Sequence, residues 1–281
     1  MKDALVTGKR IKYFFGVVQK HYKFLSISYL TERIKMKELN TKLLACTGIL
    51  LTSAVFADEH PPVEFSANVG YFSDYIYRGG SQTADGAAIQ GGFDMAHDSG
   101  FYLGTWASNV DFGNSANIEI DFYGGIGGEL ESGISWDVGA LYYWYPGVKA
   151  SDDAGGDFDF YDIYAGLGYS FGGDLAPSIG FGIAYTPDYF GEVGDATYYT
   201  VDFGLSLPAD IGLAFQFGYQ DNDDENRAGP SYSHASVGLS KDVGIFTLDI
   251  SYYFDVDDTK EFWVRGNDEP DALVFSVSAS F

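Results

Sequence analysis

Acidic side chains recur at every second position of short apolar segments, and that spacing is the feature of this chain most able to do chemistry. In Ile118-Glu119-Ile120-Asp121-Phe122 the carboxylates fall on one side of an extended chain and the apolar groups on the other. The same parity puts Glu64, Asp74, Asp94, Glu119, Asp121, Glu129, Asp137, Asp162, Asp202 and Asp249 on faces opposite large apolar residues, with Arg78 as the main cation among them. If the apolar faces look outward, these groups line an interior that is otherwise rich in Gly and Ser. Carboxylates around a passage favour cations and small residues leave space, so the chemistry is passive transfer of small hydrophilic solutes, cations preferred. The same residues admit a second reading, in which Arg78 pairs with carboxylates and tyrosines fill the interior of a non-conducting scaffold. Arg78 beside Gly79-Gly80 could guide anionic solutes by bidentate contacts, but anchoring its loop to interior carboxylates is the stronger assignment.

Two other constellations carry less. His234-Ala235-Ser236 resembles the His-x-Ser pairing of outer-membrane phospholipases, which face lipid. Here Ala235, Val237 and Leu239 take the apolar side, so His234 and Ser236 point inward, and no third orienting residue or Gly-x-Ser-x-Gly elbow is present. An enzyme is not expected, and a lipid hydrolase is the remotest of the readings. The run Asp221-Asn222-Asp223-Asp224-Glu225-Asn226 partly resembles a calcium loop but has Asn226 in place of the required Gly and Tyr232 in place of the closing acid. It reads as a solvated acidic loop. No metal site and no cofactor are expected.

These side chains need elements that hold one face to water and the other to an apolar medium. Twelve period-two segments fill the chain after Pro62, at about 63-78, 87-97, 101-110, 117-130, 134-145, 158-171, 178-186, 197-207, 213-220, 232-240, 245-255 and 271-281. A soluble sandwich gives the same alternation, so the connections decide. Asp98-Ser99-Gly100, Glu131-Ser132-Gly133, Gly172-Gly173-Asp174, Pro208 to Gly212 and Lys241 to Gly244 are tight turns after even-numbered segments. The connections 79-86, 111-116, 146-157, 187-196, 221-231 and 256-270 are longer. Short turns at one end and long loops at the other is the layout of bacterial outer-membrane barrels. Aromatics near segment ends, namely Tyr71, Tyr75 and Tyr77, Trp136, Tyr142 and Trp144, and Tyr252 and Phe254, are expected to form interfacial girdles.

The ends and composition agree. Lys37 to Lys42 is basic, Leu43 to Phe56 apolar, and Val55-Phe56-Ala57 a small-residue cleavage site, so 36-57 reads as a secretory signal peptide and 1-35 as an upstream extension ahead of the natural start. Cleavage there removes Cys46, the only cysteine, and leaves no disulfide. Residues 1-57 hold 10 Lys+Arg and 3 Asp+Glu, so the remainder carries 16 − 10 = 6 basic and 40 − 3 = 37 acidic residues, a net charge of 6 − 37 = −31. Such a surface repels nucleic acid. An aromatic content of 17% argues against disorder.

Specific blocks carry a family resemblance. Ser73-Asp74-Tyr75-Ile76-Tyr77-Arg78-Gly79-Gly80-Ser81-Gln82-Thr83 and Gly100-Phe101-Tyr102-Leu103-Gly104-Thr105-Trp106-Ala107-Ser108-Asn109-Val110 resemble the opening blocks of the TorF-type porins of proteobacteria. Glu119-Ile120-Asp121-Phe122-Tyr123-Gly124 and Tyr142-Tyr143-Trp144-Tyr145-Pro146-Gly147 continue it. Asp162, where relatives often carry Glu, is a departure. The resemblance implies an outer-membrane porin and names no solute. It also implies that the alternating last segment, ending on Phe281, is the signal read by the barrel-insertion machinery. The chain is therefore expected to be an all-β protein: a transmembrane antiparallel up-and-down β-barrel of about 12 strands over 58-281, set in outer-membrane lipid. A non-conducting structural or adhesin-like barrel is the alternative.

Overall fold

The computed structural model describes residues 62–149, 152, 158–256 and 271–281. The segments expected to be a signal peptide and an upstream extension, and most of the 256-270 loop, lie outside them. Twelve strands close one antiparallel barrel: β1 (Val63–Phe72), β4 (Ala88–His97), β5 (Phe101–Asn109), β6 (Ile118–Glu129), β7 (Ile134–Trp144), β8 (Phe160–Ser170), β9 (Ser178–Thr186), β10 (Ala196–Leu207), β11 (Ile211–Asn222), β12 (Tyr232–Val243), β13 (Phe246–Asp255) and β14 (Ala272–Ser280). A minute hairpin of β2 (Ile76–Tyr77) and β3 (Gly80–Ser81) stands apart, and α1 (Glu225–Ala228) is a single turn between β11 and β12.

Each barrel strand pairs with its sequence neighbour, and the ends meet where β14 runs from Ser276 opposite Phe72 to Ser280 opposite Asn68. Beyond that ladder, Ala67 and Phe281 exchange both backbone hydrogen bonds, at 3.0 and 2.9 Å. Closure leaves no edge strand. The period of two then sorts side chains in one step: Phe93, Phe181, Val201, Phe217 and Phe275 are exposed on the outer wall, while Asp121, Asp162, Ala184 and Ser240 are buried inside. A closed barrel with an apolar exterior and a polar, hydrogen-bonded interior is built for lipid, and this one is a bacterial outer-membrane barrel.

Turns at the periplasmic end are tight. Gly100 adopts φ +91, and a Cβ there would lie 2.1 Å from the Gly127 carbonyl oxygen, so both conformation and space demand glycine. The interior of β5 to β8 uses glycine differently. Tyr123 lies over Gly104, Tyr102 over Gly125 and Tyr164 over Gly139, each ring occupying the place of a neighbouring side chain.

The first strand departs from its expected extent. It ends at Phe72, and Ser73 makes the last contacts to β14 through its amide and hydroxyl, both 2.9 Å from Phe275 backbone atoms. Residues 73–87 then turn into the barrel. Tyr75 and Tyr77 are 2% and 8% exposed, so they are interior groups and not part of an interfacial girdle. The reason is pairing: β4 begins opposite Phe72, so a longer β1 would have β14 on one side and no neighbour on the other, whereas inside the barrel its aromatics find partners.

Phe181→Lys, on the outer wall between Leu167 and Val201, is expected to destabilise the barrel by about 2–4 kcal/mol in lipid, read from the denaturant midpoint of its heat-modifiable band. Deleting Phe281 removes the two terminal backbone bonds of the seam and is expected to slow assembly of that band, whereas normal assembly would show the terminal residue to be dispensable.

Candidate functional site

The interior carries two tiers of polar groups. The upper tier, toward the long connections, centres on the inserted hairpin. Arg78 and Gly79 form its two-residue turn, at φ +46 and +87, the left-handed pair that matches hairpin twist. The base of the hairpin is fixed by Asp74, whose Oδ1 accepts from the Ser81 hydroxyl at 2.7 Å and the Thr83 hydroxyl at 2.9 Å. Burial pushes the Asp74 carboxyl above its ordinary range, and those hydroxyls pull it partly back.

From that base the hairpin crosses the barrel. Tyr75 donates to Glu119 on β6 at 3.2 Å and meets Trp106 edge-on, and Tyr77 donates to Tyr143 on β7 at 3.0 Å. Ile76 packs on Tyr253 and Val274, on β13 and β14. Arg78 reaches the far wall, donating to Asp162 on β8 at 2.7 Å and to Gln220 on β11 at 3.1 Å. Its guanidinium carbon stands 4.6 Å from the Tyr198 ring centre, 4.9 Å from Tyr77 and 5.6 Å from Tyr189. Tyr232 donates to the Arg78 carbonyl at 3.0 Å, and Gly79 lies so close to His234 that a Cβ would approach it to 2.8 Å. The connections after β5, β7 and β9 add Phe112, Phe158 and Phe190, which pack together over this tier. Burial raises the Tyr189 hydroxyl pKa, and nearby Arg78 opposes the shift.

The lower tier is a set of four aspartates. Asp94, Asp137, Asp202 and Asp249 stand on β4, β7, β10 and β13, every third strand around the closed order. Each lies three to five residues from the periplasmic end of its strand: 97 − 94 = 3, 137 − 134 = 3, 207 − 202 = 5 and 249 − 246 = 3. Each accepts a side-chain hydrogen bond on one oxygen. Tyr123 donates to Asp94, Tyr102 to Asp137 at 2.8 Å, Gln216 to Asp202 at 2.8 Å and Ser251 to Asp249 at 2.7 Å. Among the described residues, the second oxygens of Asp137 and Asp249 are buried with no hydrogen-bond partner.

The carboxylates singled out from sequence thus separate. Glu119, Asp121 and Asp162 belong to the upper tier, buried completely, and Asp94, Asp137, Asp202 and Asp249 to the lower. Glu64 and Glu129 are at the periplasmic rim, half-buried and exposed. Asp74 and Arg78, expected on the first strand, belong to the inserted segment and do not line the wall. Asp162 is the partner of Arg78. Gln220, Tyr189, Tyr198 and Tyr232 were not singled out; the one local signal for them was Arg78-Gly79 between short apolar and small residues, which lacks the Asn-Gly or Asp-Gly signature of such turns.

His234 and Ser236 are both buried inside the barrel, and a His234 ring nitrogen lies 2.8 Å from the Tyr198 hydroxyl. The acidic run near 221-226 ends β11, caps α1 through Asp224 and buries Asn222 against the carbonyls of Ala228, Gly229 and Pro230. Among the described residues no three His, Cys, Asp or Glu side chains are grouped to hold a metal ion.

No curated protein matches the chain in sequence. Among solved structures it is similar to the KdgM porin, at 10% identity and a TM-score of 0.51 over 77% of this chain and 98% of that one. The same values describe the KdgM porin in complex with disordered oligogalacturonate. The NanC porin aligns at 12% identity and a TM-score of 0.49, over 77% of this chain and 98% of its own. At such identities the likeness is one of fold. A family model described as "Bacterial protein of unknown function (Gcw_chp)" matches residues 56–281, and the chain belongs to that family.

Proposed function

We propose that this barrel is an outer-membrane channel for passive diffusion of small hydrophilic solutes, with cations preferred over anions. The observation that carries the reading is the lower ring. Four aspartates spaced three strands apart surround the axis, so a solute passing at that level meets negative charge from every side. β8, β12 and β14 present small residues inward at this level, as in Gly166, Gly168, Ser240 and Ser278, while Tyr102, Tyr123 and Gln216 project from β5, β6 and β11 onto the aspartates. The resemblance of the opening blocks to TorF-type porins and the fold shared with the KdgM porin support the same class.

The solute proposed here differs in charge from the molecule bound in the KdgM complex. Oligogalacturonate, the molecule bound in the KdgM complex, is a polyanion. Here the strands and the hairpin present one inward Arg or Lys among the described residues, Arg78, already engaged by Asp162. A polyanion would have to pass the aspartate ring without compensating charge, which disfavours it. Hydrolysis of lipid esters has no place in this reading, because His234 and Ser236 face the interior.

A specific observation favours a second reading, the non-conducting structural barrel: the hairpin and its aromatic partners fill the upper tier. Planar-bilayer recording separates the two. The channel reading expects cation-selective currents under a salt gradient, and replacing Asp94, Asp137, Asp202 and Asp249 together by Asn should bring the cation-to-anion permeability ratio down to about one. Silence from both the native protein and a variant lacking residues 76–81, each folded by gel mobility, would establish the structural reading. Oligogalacturonate added to either side should leave the current unchanged.

A further inference from the structure

The surroundings of Arg78 have the form of a receptor for a planar cation. Asp162 and Gln220, each 0% exposed, accept from its two terminal nitrogens at 2.7 and 3.1 Å. The Tyr198 and Tyr189 rings lie within 4.6 and 5.6 Å of its central carbon. Tyr143 donates to the same Asp162 oxygen at 2.7 Å, which fixes the carboxylate. None of these five residues belongs to the hairpin. They stand on β7, β8, β10, β11 and the β9–β10 connection, whereas the occupant enters from β1 across the closed strand order.

The occupant is held by contacts rather than by a long ladder. β2 and β3 share two residue pairs, and Arg78 takes a left-handed φ of 46°, a conformation that disfavours a side chain with a Cβ. Its docking therefore leans on the guanidinium's partners. Withdrawal of Arg78 alone would leave Asp162 buried without a cation, a costly state. Exchange for another cation of the same shape removes that penalty.

We propose that Asp162, Gln220, Tyr143, Tyr189 and Tyr198 form a binding site for guanidinium- or ammonium-bearing solutes, that Arg78 is its resident ligand, and that a solute taking its place releases the hairpin Ile76–Ser81. The release opens the upper tier, a step that rests on the channel reading. Guanidinium is favoured over ammonium because a planar fork can meet both Asp162 and Gln220 while its faces lie on tyrosine rings.

The test places a cysteine at Ile76, which is 3% exposed, in a Cys46→Ser background, and measures maleimide labelling of the full protein in liposomes together with bilayer current. Millimolar guanidinium should accelerate labelling saturably, whereas equal sodium chloride or urea should not, and Asp162→Asn should abolish the saturable response. Arg78→Ala should raise labelling without added ligand by about tenfold or more, as follows from breaking a buried ion pair. Arg78→Lys, which keeps the charge and loses the fork, should fall between and serves if Arg78→Ala does not give a heat-modifiable band. Labelling indifferent to guanidinium in the native protein, or an equal response in Asp162→Asn, overturns the cation site. A guanidinium response without current retains the site and removes the channel, while current without a labelling response does the reverse.

Discussion

Everything in this molecule depends on one constraint, that no backbone amide or carbonyl can be left open at the depth of hydrocarbon. An unpaired peptide group in lipid costs several kcal/mol, so a twelve-stranded sheet there must close. The β1–β14 seam does this, and Ala67 with Phe281 completes it at the very end of the chain. Because side chains alternate, fixing the seam's register fixes which half of the chain faces lipid. Shifting it by one residue would turn Leu273, Phe275 and Val277 inward and the serines out.

Closure creates a second problem, an interior that must be filled or wetted. Twelve strands enclose more space than the eight that side chains alone can fill. Along β5 to β8 tyrosines from one strand lie over glycines of the next, thickening the wall where it is thinnest. At the outer end the chain uses its own backbone, turning residues 73–87 inward at the point where β1 loses its β4 partner. The inserted segment touches strands on nearly every side: β6 through Tyr75, β7 through Tyr77, β8 and β11 through Arg78, β12 through Gly79, and β13 and β14 through Ile76.

The buried charges follow from that insertion. Arg78 could not enter such a place without an anion, and Asp162 supplies it. The aspartate ring lies nearer the periplasmic ends of the strands, away from this pair. The two tiers differ in composition: the upper holds the Arg78–Asp162 pair together with Glu119 and Asp121, while the lower holds four aspartates bonded to Tyr, Gln and Ser side chains.

The wall of this barrel was legible in the residues. Alternation in stretches such as Tyr199-Thr200-Val201-Asp202-Phe203 set strand and face together, because both depend on a period of two that neighbouring residues share. Short turns such as Asp98-Ser99-Gly100 against longer connections set the order and the orientation. Two features were not legible. The hairpin at 76–81 continues the alternation of β1, and only the end of the β4 ladder at Phe72 shows that the strand stops there. The aspartate ring joins residues 94, 137, 202 and 249, whose equal spacing exists around the barrel and not along the chain. Periodicity is a local property and survives in sequence; the meeting of Arg78 with Asp162, and of four aspartates at one level, depends on closure, which only the folded chain decides.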